Sequence, residues 1–188
     1  MRSTIACAMA LAATMVACGD SATGPTGTSR LTVLLKDTPF ADAKSMLVTF
    51  SEVSVHKADG EWVTVPFSGD ASSRTCDLKK LTSAQDVLGT GPLAPARYTM
   101  VRLVVSSAAL YFENAAAGPA CAPTIAAPAG RTGAVEIPSG EVRLNRPFEV
   151  TADTGTTMLL DFDGDRSVRE TGNGRFMLTP VITVVSVQ

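Results

Sequence analysis

The chain has 188 residues, of which 45% are hydrophobic and 18% are charged, and its formal net charge is −2. This length allows one ordinary domain with a buried core and excludes an assembly of several large domains. Because 16 Lys and Arg stand against 18 Asp and Glu, without any basic block, we expect no nucleic acid partner.

The first segment has the pattern of an export signal. Arg2 precedes an apolar run at residues 5–17, which is shorter than the roughly 20 residues that span a bilayer. The run ends in Met15-Val16-Ala17-Cys18, which resembles the bacterial lipobox. That resemblance implies cleavage before Cys18, lipid on its thiol, and attachment to a membrane through two or three acyl chains. The alternative is an ordinary signal peptide in which Cys18 is incidental.

The sequence is therefore interpreted as three parts: a signal peptide at 1–17, lipidated Cys18 with a flexible tether at 18–29, and one domain at 30–188. Residues 19–29 are rich in Gly, Ser and Thr, and a flexible chain of that length has a root-mean-square span of roughly 18 Å. In lipoproteins of enteric-type bacteria, an aspartate directly after the lipidated cysteine signals retention in the inner membrane, and here that position holds Gly19. We expect an exported protein, anchored to the outer membrane or cell surface rather than to the inner membrane.

The four cysteines are distributed among these three parts of the chain. Cys7 leaves with the signal and Cys18 carries lipid, so Cys76 and Cys121 remain, and in an oxidising compartment they are expected to pair. The bond would close a loop of about 46 residues and stabilise the fold by roughly 4 kcal/mol. The alternative is two thiols that lie too far apart to bridge.

The first half of the domain is predicted to form strands at residues 31–36, 44–57 and 61–66. Within 44–57, the apolar positions are even up to Phe50 and odd from Val53, which predicts a β-bulge near Ser51-Glu52. Asp59-Gly60 predicts a hairpin turn between the second and third of these strands.

The remaining pattern predicts one short helix near 83–88, a long strand at 97–112, and a surface loop at 113–133 that carries Cys121. Short strands follow at 134–137, 142–144 and 148–152. Two core strands are expected at 156–163 and 175–187, the last of them central in its sheet with Pro180 at a bulge. The predicted fold is an all-β, antiparallel β-sandwich with at most one short helix, and the domain is expected to be monomeric.

Eight segments in this order resemble a family of bacterial lipoproteins that carry the domain of unknown function 4382. The resemblance implies an immunoglobulin-like or transthyretin-like sandwich, and it supplies no reaction, ligand or catalytic residue. The matching segments are LTVLLKDTP (31–39), VTFSEVSVH (48–56), WVTV (62–65), DLKKLT (77–82), LAPARYTMVRL (93–103), LNRPFEV (144–150), LLDFDGDRSV (159–168) and GNGRFMLTPVITVV (172–185).

Three acidic residues suggest a calcium site. Asp161, Asp163 and Asp165 alternate along one segment, and carboxylate oxygens are ligands that calcium prefers. The segment does not follow the EF-hand loop, because its sixth position is Arg166 and its twelfth is Gly172. The alternative is a solvated strand face followed by a turn. No other cofactor is expected.

Three further groups of residues are considered as a metal site, an ion pair and a binding platform. His56 near Glu52 and Asp59 suggests a metal site, against the simpler interpretation of an exposed strand histidine, and zinc is not expected. A structural ion pair is predicted between Glu52 and Arg102. The aromatic residues nominated for an exposed binding platform are Trp62, Tyr98, Tyr111 and Phe112.

Three functions compete at this point, and no catalytic residue is identified. The first is a non-catalytic envelope module that binds a protein or a glycan, or holds an assembly together. The second is a hydrolase with a concealed carboxylate pair. The third is a calcium-stabilised, adhesin-like or carbohydrate-binding domain. We favour the first and do not expect an enzyme, since the sequence assembles no nucleophile and base.

Overall fold

The computed structural model describes residues 27–38 and 40–188, so the predicted signal peptide, Cys18 and most of the predicted tether lie outside the described residues. Ser29, the last residue assigned to the tether, is the first residue of a strand. The strands are β1 (Ser29–Thr38), β2 (Ser45–Lys57), β3 (Trp62–Thr64), β4 (Arg74–Asp77), β5 (Asp86–Leu93), β6 (Ala96–Tyr111), β7 (Cys121–Ala122), β8 (Thr132–Glu136), β9 (Glu141–Val150), β10 (Gly155–Asp163), β11 (Val168–Gly172), β12 (Arg175–Leu178) and β13 (Ile182–Val187).

Helical structure in this part of the chain is limited to a 3-10 turn at Leu78–Leu81 and a one-turn helix, α1, at Gly164–Ser167. None of the helical segments within 27–38 and 40–188 has the length and apolar character needed to span a bilayer.

The strands form two sheets, which confirms the predicted all-β sandwich. The smaller sheet has the order β13-β10-β1-β5, and the larger has the order β11-β12-β8-β6-β2-β4-β7, with β3 added to β2 and β9 to β6. Most neighbouring strands are antiparallel, as predicted. Two pairs differ, because β1 runs parallel to β10 and β8 runs parallel to β12.

The core lies between the sheets and follows from the period-two alternation of the strands. Leu31, Val33 and Leu35 of β1 are fully buried, as are the alternate residues of β10 from Met158 to Phe162. Across the sandwich, Phe50 of the larger sheet meets Phe162 of the smaller one edge to face, with ring centroids 6.4 Å apart. Apolar burial of this kind contributes roughly 25 cal/mol for each Å² removed from water.

The predicted bulge in β2 is confirmed. The pairing of β2 with β6 shifts at Ser51, since Phe50 lies opposite Val105 while Glu52 lies opposite Val104. The extra residue keeps Phe50 and the later residues Val53 and Val55 on the same buried face.

The predicted hairpin at Asp59-Gly60 is also confirmed. β2 and β3 pair in antiparallel register, with His56 opposite Trp62. The Lys57 amide donates to the Glu61 carbonyl at 2.7 Å, and Gly60 has a φ of 104°, which glycine adopts without strain.

The predicted helix near 83–88 is wrong. The 3-10 turn at Leu78–Leu81 comes earlier, where Asp77 accepts a hydrogen bond from the Lys79 amide, and β5 occupies the later residues. Leu78 and Leu81 are both fully buried, so the apolar spacing that suggested a helix belongs partly to this turn.

The last predicted strand is divided between the two sheets. β12 ends at Leu178 and belongs to the larger sheet, while β13 begins at Ile182 and lies at the edge of the smaller one, so the predicted central position is wrong. Pro180 lies in the connection, where its lack of an N–H donor breaks no ladder. The buried residues of both halves are even-numbered, Phe176 and Leu178 in β12 and Ile182 in β13, while Val185 on the other face of β13 is exposed.

Strand directions define two ends of the sandwich. β1, β6 and β10 begin at one end, and β2, β5 and β9 finish there. We call this end, with the loops at 58–61, 94–95 and 151–154, the tether end. The opposite end, called the far end, carries the loop at 40–44, the segment 113–131 and α1.

Candidate functional site

The four aromatic residues nominated for a binding platform do not share one surface. Tyr98 and Tyr111 are buried, and Phe112 packs against Phe176 with a centroid distance of 5.5 Å. Phe112 and Trp62 are both only partly buried, but Phe112 packs against the core whereas Trp62 lies on the outer face of the larger sheet. The platform prediction is therefore wrong for two tyrosines, and Trp62 is the residue around which a site is built.

Trp62 lies against two arginines and a histidine. The guanidinium carbon of Arg102 is 4.4 Å from the centroid of the indole ring, and that of Arg143 is 6.0 Å away. The ring of His56 meets the indole edge to face at 4.8 Å. A guanidinium within about 6 Å of an indole face is attracted by the ring quadrupole, by about 0.5–1 kcal/mol where it is exposed.

The register of four strands brings these side chains together. Arg102 of β6 lies opposite Ser54 of β2 on one side and opposite Arg143 of β9 on the other. Trp62 of β3 lies opposite His56, two residues along β2 from Ser54, and therefore on the same face.

The predicted ion pair between Glu52 and Arg102 is confirmed. Arg102 Nη2 lies 2.5 Å from Glu52 Oε1, and Arg102 Nε donates to Ser54 Oγ at 3.1 Å. Partial burial raises the pKa of Glu52, but hydrogen bonds from Ser54 and Arg102 and the charge of Arg102 outweigh it and hold that pKa below its ordinary value. The pair fixes the guanidinium beneath Trp62.

We call the group Glu52, Ser54, His56, Trp62, Arg102 and Arg143 the Trp62 face. Arg143 is exposed and pairs with Glu141 at 2.6 Å, so the two arginines of the face are each matched by a carboxylate. The face offers an aromatic ring and guanidinium donors, and its two positive charges are balanced when Glu141 is counted together with Glu52. Ser54 and His56 are not joined to each other as nucleophile and base, because Ser54 Oγ accepts from Arg102 Nε and His56 Nδ1 lies 3.0 Å from Thr99 Oγ1.

His56 is not placed in a metal site. Its Nδ1 lies 3.0 Å from Thr99 Oγ1, while Glu52 pairs with Arg102 and Asp59 with Lys57 at 3.0 Å. Across residues 27–38 and 40–188, no group of three or more His, Cys, Asp or Glu side chains is arranged to hold a metal ion.

The three calcium candidates are not brought together. Asp161 pairs with Lys36 at 2.9 Å, and Asp163 accepts the Arg166 amide at 2.9 Å as the cap of α1. Asp165 is exposed in the first turn of that helix. Because two of the carboxylates have other partners, the geometry does not favour the calcium hypothesis, which stays a prediction.

The predicted disulfide is present. Cys76 of β4 and Cys121 of β7 are joined with an S–S distance of 2.06 Å. Both are buried, and the Asp77 amide donates to the Ala120 carbonyl at 2.7 Å beside the bond. The bond attaches the segment 113–131 to the edge of the larger sheet.

A partly buried ion pair beside the disulfide was not predicted from the sequence. Arg74 is only 8% exposed and donates to the Cys121 carbonyl at 3.3 Å. Its Nη2 lies 3.6 Å from Asp86 Oδ1, while the other oxygen of Asp86 accepts the Cys121 amide. Both charged groups therefore hold β7 in place.

Asp37 is the other residue that sequence reasoning missed. It is 4% exposed, its Oδ1 accepts the Gly164 amide at 3.2 Å, and its Oδ2 has no hydrogen-bond partner among the described residues. Burial raises its pKa to about 8. The period-two alternation of β1 indicated this burial, because Asp37 lies two residues after Leu35 and therefore on the same core face. Glu52, whose pKa is lowered, lies with Arg102 on the outer face of the larger sheet, whereas Asp37 lies on the core face of the smaller one, so the two carboxylates are not paired.

Comparison with known families gives one result. The family model described as a domain of unknown function (DUF4382) matches residues 28–180, which is most of the chain. No curated protein and no solved structure matches the chain.

Proposed function

This chain belongs to the family of the domain of unknown function DUF4382, and from that premise we propose that it is a lipid-anchored, non-catalytic binding module of a bacterial cell envelope. The lipobox-like ending at Cys18 supports attachment to a membrane, on the outer membrane or the cell surface. The Cys76–Cys121 bond supports export, because disulfides persist in oxidising compartments.

The Trp62 face is the observation that carries the binding role. Thr64, Arg143 and Asn145 are exposed around Trp62, so this part of the sheet is open to solvent. Trp and Arg are the residues that most often dominate the energy of protein interfaces. The Arg102 guanidinium lies 4.4 Å from the indole centroid, which leaves less of that ring for a sugar to stack on. We therefore propose a protein partner in the envelope rather than a glycan.

We expect Trp62→Ala and Arg143→Ala to weaken partner binding by about 30-fold or more, because truncation of an interface hot spot costs about 2 kcal/mol or more. The measurement is crosslinking of the lipidated protein in its native membrane, followed by mass spectrometry and titration of the recovered partner.

Arg175→Ala is the matched control for Arg143→Ala, since Arg175 is also exposed but lies on β12 at the other side of the sheet. The variant should bind as the wild type does. If the Trp62 and Arg143 variants capture the same partner with unchanged affinity, the Trp62 face is not the binding surface.

A separate labelling experiment tests the proposed lipid anchor on Cys18. Cells fed an alkynyl fatty acid should label the wild-type chain, and Cys18→Ser should abolish the label completely because the acceptor thiol is gone. Cys7→Ser, which changes a cysteine inside the predicted signal, is the control and should label normally. Equal labelling of the Cys18→Ser chain would show that Cys18 is not the lipidated residue.

A further inference from the structure

The tether end of the sandwich carries a shallow groove of about 470 Å³. It lies where the start of β6 pairs with the end of β9, with Ala96 opposite Val150. One of its residues is charged, Glu149, which lies 3.7 Å from Arg97. The groove is lined by Pro95, Ala96, Glu149, Val150, Thr151 and Ala152.

The chain enters the domain beside this groove. The backbone of Gly27 lies so close to Ala152 that a Cβ on the glycine would be 2.6 Å from the alanine Cβ. Nine residue steps separate Gly27 from Cys18, and a fully extended chain of that length reaches at most about 32 Å. A lipid on Cys18 therefore keeps the groove near the bilayer at all times and raises the effective concentration of lipid around it.

We propose that this groove docks on the lipid surface that holds Cys18, so that the far end of the sandwich points away from the membrane. The inference rests on the proposed lipidation of Cys18. Charged residues of both signs lie at the tether end, so contact depends on apolar and interfacial interactions, and a zwitterionic bilayer suffices. Those residues are Arg30, Lys57, Asp59, Glu61, Arg97, Glu149 and Asp153.

The test places the full lipidated chain in phosphatidylcholine nanodiscs that contain a headgroup-attached gadolinium chelate, and measures paramagnetic relaxation of the backbone amides. We expect strong relaxation at Ala96 and Ala152 and little at Ala126 in the far-end segment 113–131, unchanged by added salt. Ala152→Asp should weaken this gradient to the level that the tether alone produces, because it places a charge in the groove. Ala126→Asp is the matched control, since Ala126 is exposed at the far end, and it should leave the gradient intact.

The outcomes separate the two proposals. A chain that does not stay with the nanodiscs contradicts the anchor itself. An attached chain with no gradient, a reversed gradient, or a gradient as steep in Ala152→Asp as in the wild type overturns the docking surface and leaves the anchor standing. Protection of the groove that appears without lipid and rises with protein concentration would assign it to a second copy of the chain, and it also overturns the inference.

Discussion

Reduction of the Cys76–Cys121 bond should lower the free energy of unfolding by about 4 kcal/mol. The bond spans 45 positions, and closing a loop of that length removes chain entropy from the unfolded state. Because a domain is typically stable by only about 5–15 kcal/mol, this is a large part of the total. Urea unfolding with and without reductant measures it.

Reduction should also release one part of the sheet before the rest. β7 is two residues long and is joined to β4 by the pairs Thr75 with Ala122 and Cys76 with Cys121. Without the covalent bond, only hydrogen bonds hold β7, among them those of Arg74 and Asp86 to Cys121 and that of the Asp77 amide to the Ala120 carbonyl, so the Cys121 amide should exchange faster with solvent.

A double Cys76→Ala and Cys121→Ala variant is the control for this experiment. It should be destabilised and should show no response to reductant, because it has no bond to lose. Coincident unfolding curves for oxidised and reduced wild-type protein would contradict the expected contribution of the disulfide.

Structural features that are determined by the residues of a single local segment could be predicted from the sequence. The frame slip between Phe50 and Val53 predicted the bulge, and Asp59-Gly60 predicted the hairpin, since both are local patterns with a direct structural meaning. The disulfide followed from the number of cysteines left after assignment of the first two.

The features that depend on which strands are neighbours could not be predicted. Side-chain alternation is the same in parallel and antiparallel strands, so it did not reveal that β1 runs parallel to β10. The Trp62 face needs the register of β3, β2, β6 and β9 together, and no single segment contains that register. The Glu52–Arg102 ion pair could be predicted because both residues lie on long strands with clear apolar faces.

A second large effect is expected at Asp37, where replacement by asparagine should change how stability depends on pH. Asp37 lies at the end of β1 and holds the Gly164 amide at the start of α1. Its pKa is raised to about 8, mainly by burial and also by the charges of Asp161 and Asp163, while the hydrogen bond from the Gly164 amide and the charge of Lys79 act to lower it. The Lys79 amine donates to the Phe40 carbonyl at 2.7 Å, close to the same site.

The sign follows from where the proton is bound. An unfolded aspartate loses its proton near pH 4, whereas folded Asp37 keeps it until about pH 8. Between these values the folded state binds more protons than the unfolded state, so the stability that Asp37 contributes falls as pH rises. The slope is about 1.4 kcal/mol per pH unit, and the whole effect is on the order of 5 kcal/mol.

An asparagine at this position cannot titrate and keeps an oxygen that can accept the Gly164 amide. The stability of Asp37→Asn relative to wild type should therefore increase steadily between pH 5 and pH 8, measured by urea unfolding with the disulfide intact. Asp42→Asn makes the same change at an exposed position and should leave the pH profile unchanged. If the Asp37→Asn and wild-type profiles are parallel over this range, Asp37 ionises equally in the folded and unfolded chain, and its burial does not control the link between β1 and α1.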